Sequence, residues 1–183
     1  KDVIMGSYVS ATVYYTNTDN EISQVFTGGH GVGWEFYNLD KTRRYGMELF
    51  SEQYFGKLVL NESLTYVNGR ITAGPEEGGK IPYVPEVKAT LGLSYEMIRN
   101  LNAGINVNYF SSAEDSAGVK IDAYSTTDLV VKYGFDNGIQ FIAGINNLFN
   151  EKYNEYQSTN KAGITSYIPA DEINYYVGLK YEF

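Results

Sequence analysis

The side chains that could carry out chemistry are concentrated in one glycine-rich stretch of the chain. His30 is the single histidine, and glycines make up most of the segment 28–33 around it. Trp34 and Tyr37 follow closely and offer flat faces against which an aromatic ligand could stack. An exposed loop histidine and aromatic residues of a structural girdle are the simpler explanations. The stretch therefore predicts either a ligand-binding loop or an ordinary surface loop.

Two adjacent arginines follow this stretch. Neighbouring side chains of an extended chain point to opposite faces, so only one of Arg43 and Arg44 can face inward. An inward guanidinium could bind an anionic ligand through paired hydrogen bonds, and Arg44 is the candidate for this role. Pairing of the same group with a carboxylate, such as that of Glu48, is at least as simple an interpretation.

The chain offers little for catalysis. It contains no cysteine and one histidine, which leaves no thiol nucleophile and little scope for a His-based triad or a zinc site. The acidic pairs 76–77 and 114–115 consist of adjacent residues, whose side chains diverge in an extended chain, and no calcium-loop spacing occurs. We therefore expect no catalytic residues, no cofactor and no metal site, and a protein that is not an enzyme.

Composition favours strands and argues against a nucleic-acid partner. The chain carries 18 tyrosines, 9 phenylalanines and 19 glycines, residue types that favour strands and tight turns. A net charge of −8 makes nucleic acid an unsuitable partner, because neutralising phosphates requires a basic face. Mean hydropathy is −0.30, and no apolar run approaches the ~18 residues of a membrane helix.

Alternation with a period of two divides the chain into eight segments, each with one apolar face. In the last of them Ile173, Val177 and Leu179 share one face, while mostly polar residues occupy the other. The predicted strands cover about 7–26, 36–55, 57–70, 87–97, 101–110, 119–135, 138–149 and 172–183.

Strand length and connection length favour a membrane barrel over a soluble sandwich. Sandwich strands usually run to five or six residues, whereas a tilted transmembrane strand needs about nine to eleven. Short turns at one end and long polar loops at the other are typical of outer-membrane barrels, with the short turns on the periplasmic side. The short connections are 55–56, 98–100 and 136–138, and the long ones are about 27–36, 71–83, 111–118 and 150–171.

The outward face carries two bands of aromatic residues and one misplaced charge. Tyr95 and Tyr133 lie at short-turn ends, and Tyr45 and Tyr66 lie toward loop ends, as expected of girdles that bracket the hydrocarbon of a bilayer. Glu62 falls on the apolar face between leucines. Because a carboxylate in the bilayer is expensive, we expect a bulge, a register change or a protein contact there.

Eight strands could close into a small barrel, whose interior must then be filled by side chains. The predicted inward positions instead include many small residues, such as Ser63, Gly92, Gly104 and Gly178, which suit a wide lumen. We therefore favour part of a larger antiparallel barrel. A stand-alone eight-stranded barrel with a porin-like, adhesive or structural role is the alternative.

Two features of the last part of the chain resemble the TonB-dependent receptor family. Asn147, Leu148 and Phe149 lie in the run Asn-Asn-Leu-Phe-Asn, which is similar to the family's element at the outer end of the penultimate strand. Phe183 matches the terminal aromatic residue, which the resemblance implies is recognised by assembly machinery. The asparagines also suit a structural role, because their side chains can cap a loop by bonding its backbone.

Two earlier motifs resemble the same family, and all four follow its order and spacing. Gly46 and Glu48 resemble a Gly-x-Glu strand, in which an inward glycine permits close approach of a neighbouring backbone or plug. Pro82 and Pro85 resemble the paired prolines at the entry to a downward strand. Proline lacks the amide donor that a central strand needs, so this position suits it.

The resemblance implies a function in the outer membrane of a Gram-negative bacterium. Receptors of this family enclose an N-terminal plug in a 22-stranded barrel and import a scarce small molecule with energy delivered by TonB. An iron–siderophore complex is the first candidate ligand, with heme, cobalamin and oligosaccharide behind it. In heme receptors of the family a loop histidine can contact iron, which would be the role of His30.

The resemblance also implies that residues 1–183 are the C-terminal segment of such a barrel. We expect about the last eight of the 22 strands, with the plug and earlier strands supplied by the rest of the receptor or by a separate chain. The expected partners are outer-membrane lipid, the remainder of the receptor, TonB through the N-terminal part, and the small-molecule ligand.

Overall fold

The computed structural model describes residues 5–26, 34–160 and 162–181. Every regular element in these ranges is a β-strand, and none contains a helix long and apolar enough to cross a bilayer. The strands are β1 Met5–Asp19, β2 Ile22–Phe26, β3 Trp34–Asn38, β4 Lys41–Phe55, β5 Leu58–Ala73, β6 Val87–Ile98, β7 Leu101–Phe110, β8 Ala113–Glu114, β9 Lys120–Ile121, β10 Tyr124–Gly134, β11 Ile139–Asn146, β12 Asn154–Thr159, β13 Thr165–Pro169 and β14 Asn174–Tyr181.

Eight of these strands form one antiparallel sheet. Their order is β1-β4-β5-β6-β7-β10-β11-β14, so each strand lies beside its neighbours along the chain once the short hairpins are set aside. The predicted all-β antiparallel fold is confirmed. Strands β1 and β14 are the edges of the sheet and do not pair with each other in the described residues. A self-closed eight-stranded barrel, the alternative from the sequence, is therefore not what this chain forms.

The remaining strands form three hairpins inside the long connections. These are β2–β3, β8–β9 and β12–β13, each a separate two-stranded sheet. The sequence pattern predicted one continuous strand over 7–26 and another over 36–55. Both predictions are wrong, because each range is divided into two strands. Asn20 and Asp40 have φ angles of 56° and 57°, a left-handed conformation that Asn and Asp tolerate and that ends the extended chain.

The two faces of the main sheet differ in chemistry. One face carries an in-register row of aliphatic side chains, and other apolar residues of this face are exposed, with Val13 at 83% and Leu179 at 75%. On the other face Thr90 Oγ1 donates to Asn108 Oδ1 over 3.1 Å, and Asn108 Nδ2 donates to Thr126 Oγ1 over 3.4 Å. An exposed apolar face suits lipid and a hydrogen-bonded polar face suits a lumen. The aliphatic row is Leu60, Leu93, Ile105, Leu129 and Ile145.

The connections sort by length as predicted. Residues 56–57, 99–100 and 135–138 are the short turns, and all lie at one end of the sheet, called here the short-turn end. Gly56 opens the first of them with a φ of 64°, the conformation that a two-residue hairpin requires at that position. The three hairpins and the other long segments lie at the opposite end, the loop end.

Glu62 lies on the outward face without any break in the sheet. Its neighbours across the strands are Ser51 and Leu91, and neither pairing shifts register around it. Gln53 Nε2 donates to Glu62 Oε2 over 3.2 Å and to Ser51 Oγ over 3.1 Å. Of the three explanations expected from the sequence, the bulge and the register change are wrong, and a protein contact is present.

Candidate functional site

A small apolar cluster anchors the loops at the loop end. Leu39, Ile71 and Ile81 are almost fully buried, and Tyr37 and Val84 pack against them. Ile81 directly precedes Pro82 in the connection between β5 and β6, and Leu39 lies in the loop between β3 and β4. This cluster holds the β1–β4 and β5–β6 connections against the loop end of β5.

Arg44 forms an ion pair within the chain. Its Nη1 lies 2.8 Å from Glu21 Oε2, its Nη2 bonds the other carboxylate oxygen, and Thr42 Oγ1 donates to the same group. These bonds hold the pKa of Glu21 below its usual range, with the Arg44 hydrogen bond as the largest cause. Arg44 does face inward as predicted, but its partner is Glu21, which the sequence did not suggest, and not Glu48.

Three aromatic rings and one ammonium group form a stack on the inner face, called here the aromatic ladder. Its members are Lys88, Phe110, Tyr124 and Tyr153. Register explains it, because Phe110 pairs with Lys88 on one side and with Tyr124 on the other. The rings of Phe110 and Tyr124 are 4.9 Å apart, and Tyr153 stacks on Tyr124 at 3.9 Å with an interplanar angle of 9°. Lys88 Nζ lies 6.0 Å from the centre of the Phe110 ring, within cation–π range.

A second aromatic pair faces the ladder across a cavity. Tyr83 and Tyr156 stack with ring centres 5.3 Å apart, and their hydroxyl oxygens are 3.2 Å apart. Burial, followed by this hydrogen bond, raises the pKa of Tyr156 to about 12. The cavity holds about 120 Å³, and its lining includes Tyr83, Phe110, Tyr124 and Tyr156. Aromatic rings and tyrosine hydroxyl groups thus line one cavity.

Asp115 joins two of the hairpins. The carboxylate is 1% exposed, accepts the backbone amides of Ala117 and Val119 at 2.9 and 3.0 Å, and accepts Thr159 Oγ1 at 2.6 Å. Gln157 Nε2 adds a longer contact at 3.5 Å. The β8–β9 turn is therefore docked on β12, which closes one side of the cavity.

Asn147 closes the long connection between β11 and β14. Its Nδ2 donates to the carbonyl oxygens of Glu151 and Asp171 at 2.9 and 3.3 Å, and its Oδ1 accepts the Glu151 amide at 2.8 Å. Asn147 has a φ of 52° and donates its own amide to Asp128 over 2.9 Å. The asparagine of the predicted motif thus caps the loop that carries Tyr153.

Glycines of the inner wall lie beneath tyrosine rings. A Cβ at Gly46 would lie 2.7 Å from Tyr14 Oη and 2.1 Å from the carbonyl oxygen of Tyr66. A Cβ at Gly144 would lie 2.4 Å from Cζ of Tyr176. Each tyrosine is the direct cross-strand partner of its glycine, so the ring lies flat across it.

Of the four predicted ligand-binding residues, the structure describes the side chains of Tyr37 and Arg44. His30 and Phe183 lie outside the described residues, as does the side chain of Trp34, whose backbone begins β3. Tyr37 packs in the apolar cluster, where burial raises its pKa. Glu48 is exposed on the inner face opposite Thr12 and Thr65, Leu148 is half-buried, and Phe149 is 76% exposed.

The sequence alone did not predict the aromatic ladder. Each of its strand residues alternates inward, which the pattern indicates, but their contact depends on the register between β6, β7 and β10. Pro85 lines the ladder's cavity, and Pro82 lines a larger one of about 400 Å³ that also includes Glu76 and Glu114. No group of three His, Cys, Asp or Glu residues in the described ranges is placed to hold a metal ion.

An open antiparallel sheet with an apolar outside, a polar inside and loops sorted by length is the wall of a transmembrane β-barrel. A family model described as "TonB dependent receptor-like, beta-barrel" matches residues 5–148. The chain belongs to the TonB-dependent receptor family, whose members are outer-membrane β-barrels of Gram-negative bacteria that act in transport.

Individual relatives share this architecture. The metal-pseudopaline receptor CntO of Pseudomonas aeruginosa is 29% identical over 130 residues, which are 66% of this chain and 18% of that protein. The solved structure of the copper transporter OprC superposes with a TM-score of 0.77 at 21% identity, over 100% of this chain and 29% of OprC. The ferric citrate transporter FecA gives a TM-score of 0.75 at 20% identity, over 94% of this chain and 28% of FecA. The chain thus spans less than a third of each relative's length.

Proposed function

We propose that the chain, over residues 1–183, forms the C-terminal part of the barrel wall of an outer-membrane receptor that imports an iron–siderophore complex. The aromatic ladder with its terminal ammonium is the observation that carries this proposal. The names of the relatives give support, since CntO is a metal-pseudopaline receptor and FecA a ferric citrate transporter, so both handle metal chelates. The rest of the receptor, including a plug, would supply the contact with TonB.

The ladder has the chemistry that a flat, anionic chelate needs. Phe110 and Tyr124 line the cavity, where the exposed parts of their rings can contact a planar ligand, and Lys88 brings a positive charge beside Phe110. Burial raises the pKa of Tyr153, so its hydroxyl stays protonated and can donate to an anionic oxygen at neutral pH. The site thus matches the ligand in shape and in charge.

Growth of a deletion strain tests the proposal. The strain carries the full receptor gene as wild type, Phe110→Ala or Tyr109→Ala, and grows on single iron–siderophore sources. Phe110→Ala should raise the siderophore concentration needed for half-maximal growth by about fivefold, because one aromatic contact is worth roughly 1 kcal/mol. Tyr109→Ala is the matched control, since its ring faces outward on the same strand and is 42% exposed. Growth that falls equally in both variants at equal surface expression would refute a binding role for the ladder.

Heme is the second candidate ligand, for which His30 is the residue to test. The same strain with His30→Ala and with heme as the iron source gives the answer. Unchanged growth on heme removes His30 as an iron ligand, and a wild-type receptor gene that gives the deletion strain no added growth on heme removes heme as this receptor's ligand.

A further inference from the structure

Tyr83 has a backbone conformation that a bulky residue rarely adopts. Its φ angle is 63°, whereas the other five non-glycine residues with positive φ in the described ranges are all Asn or Asp. The neighbours explain why the turn falls on this residue, because Pro82 has a fixed φ angle and Val84 is confined to extended conformations by Pro85. Strain of this kind persists at positions where a side chain must be aimed for a function.

The backbone around Tyr83 is anchored on both sides. Ile81 is almost fully buried in the apolar cluster, and Val84 packs against the same cluster. The Tyr83 amide donates to the carbonyl oxygen of Glu114 over 2.8 Å. None of these contacts involves the aromatic ring, so rotation about the side-chain bonds leaves them intact.

The ring of Tyr83 stands between two cavities. It lines the cavity of about 120 Å³ beside the ladder, where it stacks on Tyr156 with the two hydroxyl oxygens 3.2 Å apart. The Tyr83 hydroxyl group also lies 3.5 Å from Oγ of Ser116, which lines the cavity of about 400 Å³. Ligand pockets usually measure about 300–1,000 Å³, so the first cavity needs a movable wall to admit a ligand of that size.

We propose that Tyr83 is a gate between these two cavities and controls entry to the aromatic ladder. In the closed state its hydroxyl group bonds that of Tyr156, and in the open state the ring turns away and joins the two spaces. The inference rests on the proposed function, because the ladder is the site that the gate serves. Burial raises the pKa of Tyr156 to about 12, so this hydroxyl group stays protonated and the bond persists at neutral pH.

Labelling of a buried thiol measures the gate without any siderophore. Ala113 lines the cavity beside the ladder and is buried, so Ala113→Cys puts a thiol in the cavity wall. The full receptor with this substitution and no other cysteine is purified in detergent and treated with a maleimide dye larger than the cavity. Tyr83→Phe and Tyr156→Phe remove the same hydrogen bond, so each should raise the labelling rate about fivefold, the usual effect of one neutral hydrogen bond.

Tyr109→Phe is the matched control, since this tyrosine faces outward on β7. Equal labelling rates in the wild type and Tyr83→Phe would overturn the gate, as would an equal gain in Tyr109→Phe. The receptor with both Tyr83→Phe and Tyr156→Phe should label no faster than either single variant, because the two hydroxyl groups share one bond. Multiplied gains would overturn that shared bond as the latch of the gate.

A second pair of variants tests the strained backbone. Tyr83→Gly and Tyr83→Ala both lack the ring, but only glycine adopts the left-handed conformation at no steric cost. Tyr83→Gly should therefore unfold at a higher urea concentration than Tyr83→Ala. Equal unfolding would show that residue 83 is not held in the conformation that aims the ring.

Uptake assays separate this proposal from the proposed function. Faster labelling of Tyr83→Phe in a receptor whose wild type supports no siderophore uptake would refute the import proposal alone. Unchanged labelling in a receptor with normal uptake would refute the gate alone.

Discussion

The contact between Tyr14 and Gly46 predicts the effect of adding one methyl group to the inner wall. Gly46→Ala should lower the free energy of unfolding of the full receptor by about 1–3 kcal/mol, because its Cβ would overlap the Tyr66 carbonyl and the Tyr14 ring. Gly178→Ala is the control, since no atom lies within 4 Å of a Cβ there. Urea unfolding in lipid vesicles measures both variants, and equal losses would contradict a tight fit at Gly46.

Glu62 gives a second prediction at this scale, with the opposite sign. Glu62→Leu should stabilise the receptor in vesicles by about 1 kcal/mol, because a carboxylate on the lipid face is destabilising and leucine continues the surrounding apolar surface. Glu52→Leu, on the inner face, is the comparison. A loss of stability in Glu62→Leu would mean that the carboxylate serves a protein contact beyond that with Gln53.

Single residues also show where sequence reasoning stops. The alternation placed Glu62 on the outward face and Arg44 on the inner face, since both depend only on counting along one strand. The partners of these groups, Gln53 and Glu21, come from other strands and loops. The contact of Lys88 with Phe110 likewise needs the register between two strands, which no local pattern contains.

At the scale of elements, the β2–β3 hairpin depends on the ion pair between Glu21 and Arg44. The pKa of Glu21 is lowered from 4.5 in the folded state, chiefly by the Arg44 hydrogen bond. A group of this kind stabilises the fold above its unfolded pKa, and the contribution is lost as the pH falls through the folded pKa. The stability difference between wild type and Glu21→Gln should therefore be constant from pH 7 to about 5 and shrink in stronger acid.

Urea unfolding at several pH values measures this difference. Glu77→Gln, in the loop after β5, serves as the control and should track the wild type throughout. A difference between wild type and Glu21→Gln that stays constant down to pH 2 would show that the ion pair does not hold the hairpin.

The main strands could be predicted because each carries its pattern over ten residues or so. The hairpins of the loop end could not, for two physical reasons. Asn20 and Asp40 leave the extended conformation without interrupting the alternation of side chains around them. Strands such as β8 and β9 are two residues long, and they exist because Asp115 and its partners hold the turn between them.

At the scale of the whole molecule, the two open edges predict how the chain behaves alone. A bilayer does not satisfy the backbone groups of an unpaired strand, so β1 and β14 need further strands beside them. We expect residues 1–183 expressed alone to aggregate or to stay unfolded, and to fold when the preceding part of the receptor is co-expressed. A change of gel mobility on heating reports folded barrel, and such a change in the isolated chain as a monomer would contradict the prediction.

The tyrosines that lie across Gly46 and Gly144 also affect what can move inside the barrel. A tyrosine that stood upright on the inner wall would narrow the passage by the length of its side chain. Laid flat over a residue without a side chain, the same ring leaves a level surface. In the receptor proposed above, a plug that shifts during transport would therefore meet a level surface at these positions of β4 and β11.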